Sequence, residues 1–448
     1  MTSCAATTGG GPTSSTALLT DHYELTGLDA ALRSGVAHHR AVFEVFARNL
    51  PDGRRYGVVA GMARLVDAVE RFRFDLPVID HLRGRGFLHA DTLAWLADYR
   101  FRGHIDGYRD GELFFPRSPV LTVESTFGEA LILETVLLSV LNHDAAIAAA
   151  ASRIAVAAGG RTTIEGGARR THEEAAVAAS LAAYVAGIDV TSNLEAGRRY
   201  GLPTAGTTMH AFTLAHRSEE EAFRAQVAAF GSAGTFLVDT YDVPEGIRRA
   251  VAAAGPGIGA VRIDSGDPLT EVAAARTLLD ELGATSCEIV VSGDLDEFRI
   301  AALAASPVDR YLIGTRLVTG SGAPTAELVY KLVAVADEPG PDAPMRPVAK
   351  TSHGKTDRGG RKVATRVLGP DGRATAERVR TASEAPRTAV EEGRPLQVRH
   401  VEHGEPLAAP GPDEARAHHA RALAELDPAH LALTHGEPAF VATSASQG

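Results

Sequence analysis

The most constraining feature of the sequence is a regular alternation of short apolar runs and amphipathic stretches between residues 161 and 315. The apolar runs end at small or polar residues and occupy 161–165, 187–190, 203–207, 235–239, 260–264, 288–292 and 311–315. Alternation of this kind is typical of strand–helix units, which assemble into a parallel sheet. Six or seven such units favour a closed or nearly closed barrel, although an open sheet is also compatible with the pattern.

The rest of the chain divides around this pattern. Residues 1–16 are rich in Thr, Ser, Gly and Ala, and we expect a disordered lead there and not a signal peptide. Residues 17–126 mix helical and extended patterns without regular alternation, which predicts an N-terminal α+β domain. We expect a barrel domain over 127–335, a Pro/Gly/Asp-rich linker at 337–344, and a C-terminal segment, 346–448, that returns to the N-terminal domain. The predicted fold class is therefore α/β, an irregular TIM-like α/β barrel with an N-terminal α+β domain.

Composition excludes several classes of function. The formal net charge of -11 argues against a nucleic-acid partner. The two cysteines, Cys4 and Cys287, provide neither a disulfide framework nor a four-ligand zinc site, which fits a cytoplasmic location. The apolar segment 145–158 is flanked by Asp144 and contains Arg153, so we expect a buried helix and no membrane span.

A histidine lies where a barrel enzyme places its chemistry. His210 falls in the loop between the predicted strand 203–207 and a helix that starts near Ser218. Active sites of strand–helix barrels lie at this edge. A histidine there can act as an acid, a base or a nucleophile near neutral pH. Position alone is equally compatible with a surface loop histidine.

Several other predicted strands end in groups suited to a phosphorylated substrate. The residues are Arg169 and Arg170, then Arg262, Asp264 and Asp267, then Gly293 and Asp294, and finally Gly314 and Thr315. Guanidinium groups bind carboxylates and phosphates, and glycine turns at helix starts present backbone N–H groups to phosphate. Each motif alone is weak because Gly and Asp are ordinary turn residues. Together they predict an enzyme for an anionic, phosphate-bearing substrate, with Mg²⁺ held by carboxylates and phosphates.

A basic run follows the predicted barrel. Its members surround Asp357 and are Arg346, Lys350, Lys355, Arg358, Arg361, Lys362 and Arg366. Such a run in an acidic protein could contact phosphates. A solvated hairpin is the alternative interpretation.

Taken together, the motifs resemble those of the nicotinate phosphoribosyltransferase family. They are Thr20-Asp-x-Tyr23, Glu165-x-Gly-x-Arg-Arg170, Thr191-Ser-Asn193, Gly206-Thr-x-x-His210, Val238-Asp-Thr-Tyr-Asp242, Ile263-Asp-Ser-Gly-Asp267, Ser292-Gly-Asp-Leu-Asp296 and Val329-Tyr-Lys-Leu332. The similarity runs from about residue 18 to 333 and continues through 350–362. It implies a type II phosphoribosyltransferase-like fold and a homodimer with shared active sites. The implied reaction joins nicotinate to phosphoribosyl pyrophosphate (PRPP), releases pyrophosphate, consumes ATP, uses Mg²⁺ and supplies NAD biosynthesis; enzymes of this kind are classed as C–N ligases.

The resemblance also implies roles for single residues. His210 matches the histidine that ATP phosphorylates, and Asp239 matches the aspartate that hydrogen-bonds it. Tyr23 matches the aromatic residue that stacks on the pyridine ring from the neighbouring subunit, whereas the residue pattern alone favours a partly buried aromatic. The remaining matches are Arg169, Arg170 and Arg262 at the base and phosphates, Asp264, Asp267 and Asp294 near ribose, metal and pyrophosphate, and Gly293, Gly314 and Thr315 at the 5′-phosphate. We expect Asp264 to be catalytic and Asp267 to be the metal ligand.

Asn193 bears on the choice of base. Relatives that use nicotinamide carry an aspartate where this chain has Asn193. An aspartate accepts a hydrogen bond from an amide and repels a carboxylate, whereas asparagine can donate to a carboxylate. This favours nicotinate. The alternative interpretation is that Asn193 only caps the following helix.

Two departures from the family pattern keep other functions open. Gly166 stands where the family has a large apolar residue facing the base, and Met209 replaces a small residue beside His210. With these two replacements, a catalytically weakened paralogue that binds NAD precursors is an alternative function. A nicotinamide enzyme is a further alternative, against which Asn193 argues. A quinolinate enzyme is another, for which we expect more basic residues and no need for His210.

Overall fold

The computed structural model describes residues 15–352, 355–356, 358–384 and 393–444. Most of the predicted disordered lead, 1–16, lies outside these residues. Its last two residues are packed, because Thr16 Oγ1 donates a hydrogen bond to the carbonyl of Ala68 at 2.6 Å.

The N-terminal part combines small helices with antiparallel strands. Its elements are α1 (His22–Ser34), β1 (His39–Ala47), β2 (Gly57–Val58), α2 (Met62–Glu70), α3 (Leu76–Arg85), α4 (Ala90–Ala97), β3 (His104–Tyr108), β4 (Leu113–Phe114), β5 (Leu121–Thr126), α5 (Phe127–Leu131) and α6 (Glu134–Ala158).

The middle part alternates strands and helices. Its elements are β6 (Thr162–Glu165), α7 (Glu173–Val185), β7 (Val190–Thr191), α8 (Leu194–Tyr200), α9 (His210–Leu214), α10 (Glu219–Phe230), β8 (Thr235–Leu237), α11 (Val243–Ala254), β9 (Ala260–Ile263), α12 (Pro268–Glu281), β10 (Glu288–Val291), α13 (Glu297–Ala302), β11 (Arg310–Ile313) and α14 (Thr315–Val318).

The C-terminal part is mainly extended. Its elements are β12 (Leu328–Pro339), β13 (Met345–Pro347), β14 (Thr351–Ser352), β15 (Lys355–Thr356), β16 (Lys362–Leu368), β17 (Ala374–Thr381), β18 (Arg394–Pro395), β19 (Gln397–Glu402), β20 (Glu405–Pro406), α15 (Pro412–Ala424) and β21 (Thr443–Ser444).

The parallel sheet confirms the predicted alternation. Its six strands lie in the order β7-β6-β11-β10-β9-β8. The remaining predicted run, 203–207, contributes a parallel bridge between Thr204 and Thr191 at the β7 edge. Each predicted run therefore lies in or beside this sheet, because apolar residues flanked by turn residues favour buried parallel strands.

The barrel is irregular where its two edges meet. Within the described chain, no strand ladder joins β8 to the segment around Thr204. The buried side chain of Gln226 lies between them instead: its amide nitrogen donates to the carbonyl of Thr235 at 2.9 Å, and its oxygen accepts from Thr208 Oγ1 at 3.1 Å. A side-chain bridge replaces the missing backbone pairing.

The second large sheet has seven strands in the order β13-β12-β1-β5-β3-β19-β20. Strand β12 pairs with β1, so the chain has already left the barrel at residue 328, and the expected domain boundary at 335 falls inside this strand. The stretch 337–344, interpreted as a linker, is the end of β12 and the turn to β13. The linker interpretation was wrong because the turn-forming residues there close a hairpin between two paired strands.

Helix α6 belongs to both halves of the molecule. Val136, Leu137 and Leu141 pack into the core of the antiparallel layer, and Ile147 and Ile154 pack into the core of the barrel. The helical stretch Phe127–Ala158 is long and apolar enough to cross a membrane, but 61% of its most apolar window is buried inside the fold. The segment 145–158 is thus a buried helix, as predicted.

The basic run 346–366 divides into structural and exposed residues. Lys362 donates to the buried carboxylate of Glu44 at 2.7 Å, and Arg366 is fully buried against Glu377. Neither phosphate contact nor a solvated hairpin describes these two residues, because both form ion pairs inside the protein. Lys350 is exposed. The side chains of Lys355 and Asp357 lie outside the described residues.

Candidate active site

His210 and Asp239 meet at the carboxyl edge of the parallel sheet. His210 is the first residue of α9, and Asp239 follows β8. Their side chains are joined by a hydrogen bond of 3.2 Å between Nε2 of His210 and Oδ1 of Asp239. The Asp239 side chain is 1% exposed, whereas 41% of the His210 side chain is exposed. The pair therefore has a buried anchoring end and an open reactive end.

The Asp239 carboxylate is fixed on its other side. Its second oxygen accepts from Ser265 Oγ at 2.7 Å and from the backbone N–H of Asp264 at 3.2 Å. A carboxylate held by three donors has little freedom to rotate, so it fixes the orientation of the imidazole ring. Within the described chain, Nδ1 of His210 has no hydrogen-bond partner. This nitrogen is available for chemistry.

Arg262 connects several of the strand ends. Its guanidinium donates to Ser292 Oγ at 2.8 Å, to Thr207 Oγ1 at 3.2 Å and to Asp264 Oδ1 at 2.7 Å. Burial alone would raise the pKa of Asp264, but hydrogen bonds from Ser292 and Arg262 and the arginine charge hold this pKa below its usual value. Asp264 is therefore an ionised carboxylate at neutral pH.

A buried carboxylate organises the other side of the edge. Glu165 accepts from Thr191 Oγ1 at 2.6 Å, from Ser180 Oγ at 3.0 Å and from the backbone N–H of Gly167. The turn after it carries Arg169, and the strand end after Thr191 carries Asn193. Glu165 thus fixes both loops that hold the predicted base-binding residues. The sequence motif included Glu165, but no local signal revealed its partners.

The predicted base-binding residues have free polar groups. Asn193 Oδ1 caps α8 by accepting from the N–H of Ala196 at 3.0 Å, so the capping interpretation is correct. The cap leaves the side-chain NH₂ group of Asn193 without an acceptor in the described chain. Arg169 and Arg170 are exposed, and neither pairs with any residue that the structure describes. Three sets of N–H donors therefore remain for an anionic ligand.

The two predicted phosphate turns lie at the carboxyl edge of the parallel sheet, and the first of them has a left-handed backbone. Gly293 has a φ of +91°, and a Cβ atom there would lie 2.5 Å from the carbonyl oxygen of Asp264. Asp294 also has a positive φ, +48°. Gly314 precedes the short helix α14, and Thr315 is exposed at its start. Both turns follow neighbouring parallel strands, so their N–H groups share one edge.

The acidic residues do not form a metal cage. Asp267 is exposed and accepts from Thr270 Oγ1 at 2.8 Å. No group of three or more His, Cys, Asp or Glu side chains suited to a metal occurs among the described residues. Mg²⁺ commonly binds through one or two carboxylates, waters and substrate phosphates. The free second oxygen of Asp264 and the exposed carboxylates of Asp267 and Asp294 fit that kind of binding.

Tyr23 lies away from this edge. It belongs to α1, is 52% exposed, and hydrogen-bonds Glu134 at the start of α6. Burial and then the Glu134 charge raise the pKa of Tyr23 to about 12. In the part of the chain that the structure describes, none of its hydrogen bonds or ring contacts reaches the parallel sheet. A single subunit therefore does not bring Tyr23 to His210.

Two family models match the chain in succession. Residues 18–142 match the nicotinate phosphoribosyltransferase N-terminal domain, and residues 147–321 match the quinolinate phosphoribosyl transferase C-terminal domain. Among curated proteins, the chain is 53% identical over 431 residues to nicotinate phosphoribosyltransferase pncB1 of Mycobacterium tuberculosis, and the match covers 94% of each chain.

The chain belongs to the nicotinate phosphoribosyltransferase family. A second family member, nicotinate phosphoribosyltransferase of Bacillus subtilis, is 35% identical over 333 residues, covering 72% of this chain and 68% of that protein.

Solved structures support the fold of the family. Human nicotinic acid phosphoribosyltransferase superposes with a TM-score of 0.79 at 26% identity, covering 95% of this chain and 97% of that one. Nicotinate-nucleotide pyrophosphorylase of Pyrococcus furiosus superposes with a TM-score of 0.74 at 24% identity, covering 91% and 94%. The predicted type II phosphoribosyltransferase-like fold is confirmed.

The structure shows what surrounds the two departures from the family pattern. A Cβ atom on Gly166 would lie 2.6 Å from Cδ2 of Leu312, so the Leu312 side chain occupies space that a side chain at 166 would need. Met209 precedes α9 with its side chain exposed.

Large exposed apolar side chains occur in the segments that follow the strands of the parallel sheet, and sequence reasoning missed them. Each member follows the carboxyl end of a strand and is at least half exposed; the members are Leu194, Met209, Leu214, Tyr241, Leu269 and Phe298. The available signal was a large apolar residue in most of the loops that were interpreted as polar turns. We call this set the apolar rim.

Proposed function

We propose that this chain is a cytoplasmic nicotinate phosphoribosyltransferase of NAD biosynthesis. It joins nicotinate to PRPP, forms nicotinate mononucleotide and pyrophosphate, and couples this reaction to ATP hydrolysis through a phosphohistidine at His210. The observation that carries the coupling is the His210–Asp239 pair, with its buried carboxylate and its open imidazole. Cys287 is buried and forms no disulfide with any described residue, which is compatible with the cytoplasm.

The phosphoryl step uses the two nitrogens of His210 differently. Asp239 accepts a hydrogen bond from Nε2–H, so the proton stays on Nε2 and the lone pair is on Nδ1. That lone pair attacks the γ-phosphorus of ATP, the bond to the β-phosphate oxygen breaks, and ADP leaves with the bonding electrons. Asp239 also stabilises the positive charge that develops on the ring. Water later cleaves the labile phosphorus–nitrogen bond. The free energy released by this hydrolysis favours nucleotide formation.

The ribosyl step needs no general base. The pyridine nitrogen of nicotinate carries a lone pair, which forms the bond to C1 of the ribose while the bond to pyrophosphate breaks. The ionised Asp264 stabilises the positive charge that develops on the ribose. Holding both reactants at this edge can lower the barrier by about 7–11 kcal/mol. Mg²⁺ held by Asp264, Asp267 or Asp294 together with substrate phosphates would neutralise the leaving group.

Nicotinate is selected by donors at one side of the edge. Arg169 and Arg170 offer free guanidinium groups, and Asn193 offers a free NH₂ group. A carboxylate accepts from these donors with two charged oxygens, whereas nicotinamide accepts only through its neutral carbonyl oxygen, and its NH₂ group accepts from none of them. On the opposite side, the turns at Gly293–Asp294 and Gly314–Thr315 receive the 5′-phosphate through backbone N–H groups.

The active enzyme is a homodimer with shared sites. The apolar rim leaves several large apolar side chains exposed to water. Leu18, Leu19 and Tyr23 form a second exposed apolar group on the N-terminal layer. A partner subunit that places its N-terminal layer over the rim buries both groups and brings Tyr23 to the base.

The deciding experiment measures nicotinate mononucleotide formed from nicotinate and PRPP with Mg²⁺, with and without ATP. Parallel reactions contain nicotinamide or quinolinate instead of nicotinate. We expect product from nicotinate, stimulation by ATP, and loss of the stimulation in His210→Ala. His81→Ala is the matched control, because His81 is exposed on α3 and far from the parallel sheet.

Two results would contradict the proposal. If the folded enzyme binds PRPP but makes no nucleotide from any base, the chain is a paralogue that binds NAD precursors without catalysis. If His210→Ala keeps the full ATP stimulation, the phosphohistidine lies elsewhere or does not form.

A further inference from the structure

A buried ion cluster lies behind the site, and none of the chemistry above uses it. Arg54 Nη1 and Arg153 Nε donate to the same oxygen of Glu297 at 3.0 and 3.1 Å. The second Glu297 oxygen accepts from Ser321 Oγ at 2.5 Å. The side chains of Arg54, Arg153 and Glu297 are 5%, 6% and 1% exposed. We call these four residues the Glu297 cluster.

The two arginines of the cluster also donate hydrogen bonds to backbone carbonyls of neighbouring segments. Arg54 donates to the carbonyl of Gly320 at 2.8 Å, and Arg153 donates to the carbonyls of Gly53 and Leu433, each at 3.3 Å. Burial alone would raise the pKa of Glu297, but the Ser321 hydroxyl and the two arginines hold it below its usual value. The carboxylate is therefore ionised and fixed in one geometry.

The cluster touches the segments that follow both phosphate turns. Glu297 is the first residue of α13, which begins directly after the turn containing Gly293 and Asp294. Gly320 and Ser321 follow α14, which begins at Thr315 after the second turn. Arg54 bonds to both segments, and it comes from a loop of the N-terminal layer. One side chain from outside the barrel thus joins two barrel segments.

We propose that Arg54 and Glu297 are positioning residues that hold the two turns at the separation required to bind the 5′-phosphate of PRPP. The inference rests on the proposed function, because that function assigns the phosphate to these turns. Backbone donors bind an oxygen only within a narrow range of distance and angle. A shift of one turn relative to the other removes some of these donors from range, although no residue of the Glu297 cluster touches the substrate itself.

The test compares variants that loosen the cluster to different degrees. Arg54→Met keeps most of the side-chain volume and removes both bonds from Arg54. Ser321→Ala removes only the hydroxyl bond to Glu297 and serves if Arg54→Met does not fold. Arg55→Met is the matched control, because Arg55 lies next in the chain but donates to Thr434 and His435 and to no residue of the Glu297 cluster.

Steady-state kinetics and calorimetric titration with PRPP provide the readout. We expect Arg54→Met to raise KM and Kd for PRPP on the order of 10- to 100-fold, the effect of a small misplacement of binding groups. The value of kcat, and KM for nicotinate at saturating PRPP, should stay near those of the unaltered enzyme. Ser321→Ala should change PRPP binding in the same direction by a smaller factor, and Arg55→Met should not change it.

The outcomes separate the two proposals. If the variants lose thermal stability but bind PRPP as tightly as the unaltered protein, the cluster is structural only and the inference is wrong. If KM rises equally for nicotinate and PRPP, the effect is a general distortion and the inference is also wrong. If the unaltered protein itself binds no PRPP, the proposed function fails, and the assignment of a phosphate to these turns fails with it.

Discussion

Asn193 uses one end of its side-chain amide for the fold and leaves the other end free. Its oxygen accepts from the N–H of Ala196 and so caps α8. The capping and recognition interpretations of the sequence are therefore compatible, because they use different atoms. Aspartate can also cap a helix through one oxygen, but its second oxygen is an acceptor with negative charge. A substitution here can change recognition without changing the helix.

We predict that Asn193→Asp shifts the base preference of the enzyme. The ratio kcat/KM for nicotinate should fall by about 10- to 100-fold, because a hydrogen bond to a charged group contributes about 1.5–3 kcal/mol. Nicotinamide should become a better substrate, since the new carboxylate accepts from its NH₂ group. Competition assays with both bases measure the shift.

The matched control for this prediction is Asn193→Ser, which keeps a capping oxygen and removes the amide. It should weaken nicotinate use without improving nicotinamide use. Unchanged base preference in both variants would show that position 193 does not contact the base.

At the level of elements, α15 connects the C-terminal part to both layers. His419 on this helix is buried and bonds to the carbonyl of Gly111 and to Ser152 Oγ on α6, each at 3.0 Å. The helix can approach because position 111 is glycine: a Cβ atom there would lie 2.5 Å from the carbonyl oxygen of Ala415. Burial lowers the pKa of His419 to about 4. The docking of α15 therefore requires a neutral histidine.

This docking predicts a specific pH dependence of stability. Between about pH 6.5 and pH 4, His419 takes up a proton in the unfolded chain but not in the folded protein, so unfolding becomes easier as pH falls. At about 1.4 kcal/mol per pH unit, the total loss is on the order of 3 kcal/mol. Above pH 6.5 the residue is neutral in both states, so it does not change the free energy of unfolding with pH.

Urea unfolding of the full chain at several pH values checks this prediction. His419→Gln should show a shallower fall in the free energy of unfolding between pH 6.5 and pH 4, whereas His81→Gln should behave like the unaltered protein. Equal slopes in all three proteins would mean that α15 docking does not depend on this proton.

At the scale of the whole molecule, the residues of the proposed site lie on two separate parts of the chain. The His210–Asp239 pair and the apolar rim lie on the barrel, whereas Tyr23 lies on the N-terminal layer next to Glu134. Within one subunit, no described contact of Tyr23 reaches the barrel edge. A second subunit can supply the aromatic ring and cover the rim in the same contact.

We predict that two inactive variants restore each other when mixed as dimers. Tyr23→Ala and His210→Ala should each show low ATP-stimulated activity alone. Mixed dimers from co-expression should have about half of the unaltered activity, because each mixed dimer has one complete site out of two. The recovery is measured on dimers purified through two different tags.

The control mixes His210→Ala with Asp239→Ala, which alter the same half of the site. No arrangement of these two chains gives a complete site, so activity should stay low. Failure of the Tyr23 and His210 mixture to recover would place Tyr23 outside the shared site.

The strand positions could be predicted because their information is local. An apolar run and the turn residue that ends it are adjacent in sequence, so β6 to β11 and the segment around Thr204 followed from the pattern. The same locality placed His210, Asp239 and Asp264 at one edge, since parallel strands all end there.

Other features depend on partners far away in the chain. Three examples are the bridge made by Gln226, the ion pair of Lys362 with Glu44, and the ion pair of Arg54 with Glu297. In each, the sequence around one residue does not indicate its partner. The role of Tyr23 was inferred from family resemblance, because its exposed position on α1 carries no chemical signal of its own.

The order of strands in the antiparallel sheet has a consequence for protein synthesis. Strand β3 pairs with β5 on one side and with β19 on the other, where Tyr108 lies opposite Gln397. The six parallel strands leave the ribosome as one contiguous segment and can pair as soon as they emerge. The seven-stranded antiparallel sheet contains the first strand to be translated, but it is completed last, because β19 and β20 must be translated before they can pair. Throughout most of translation, the nascent polypeptide therefore carries β3 as an open strand edge, the kind of edge that neighbouring chains can capture.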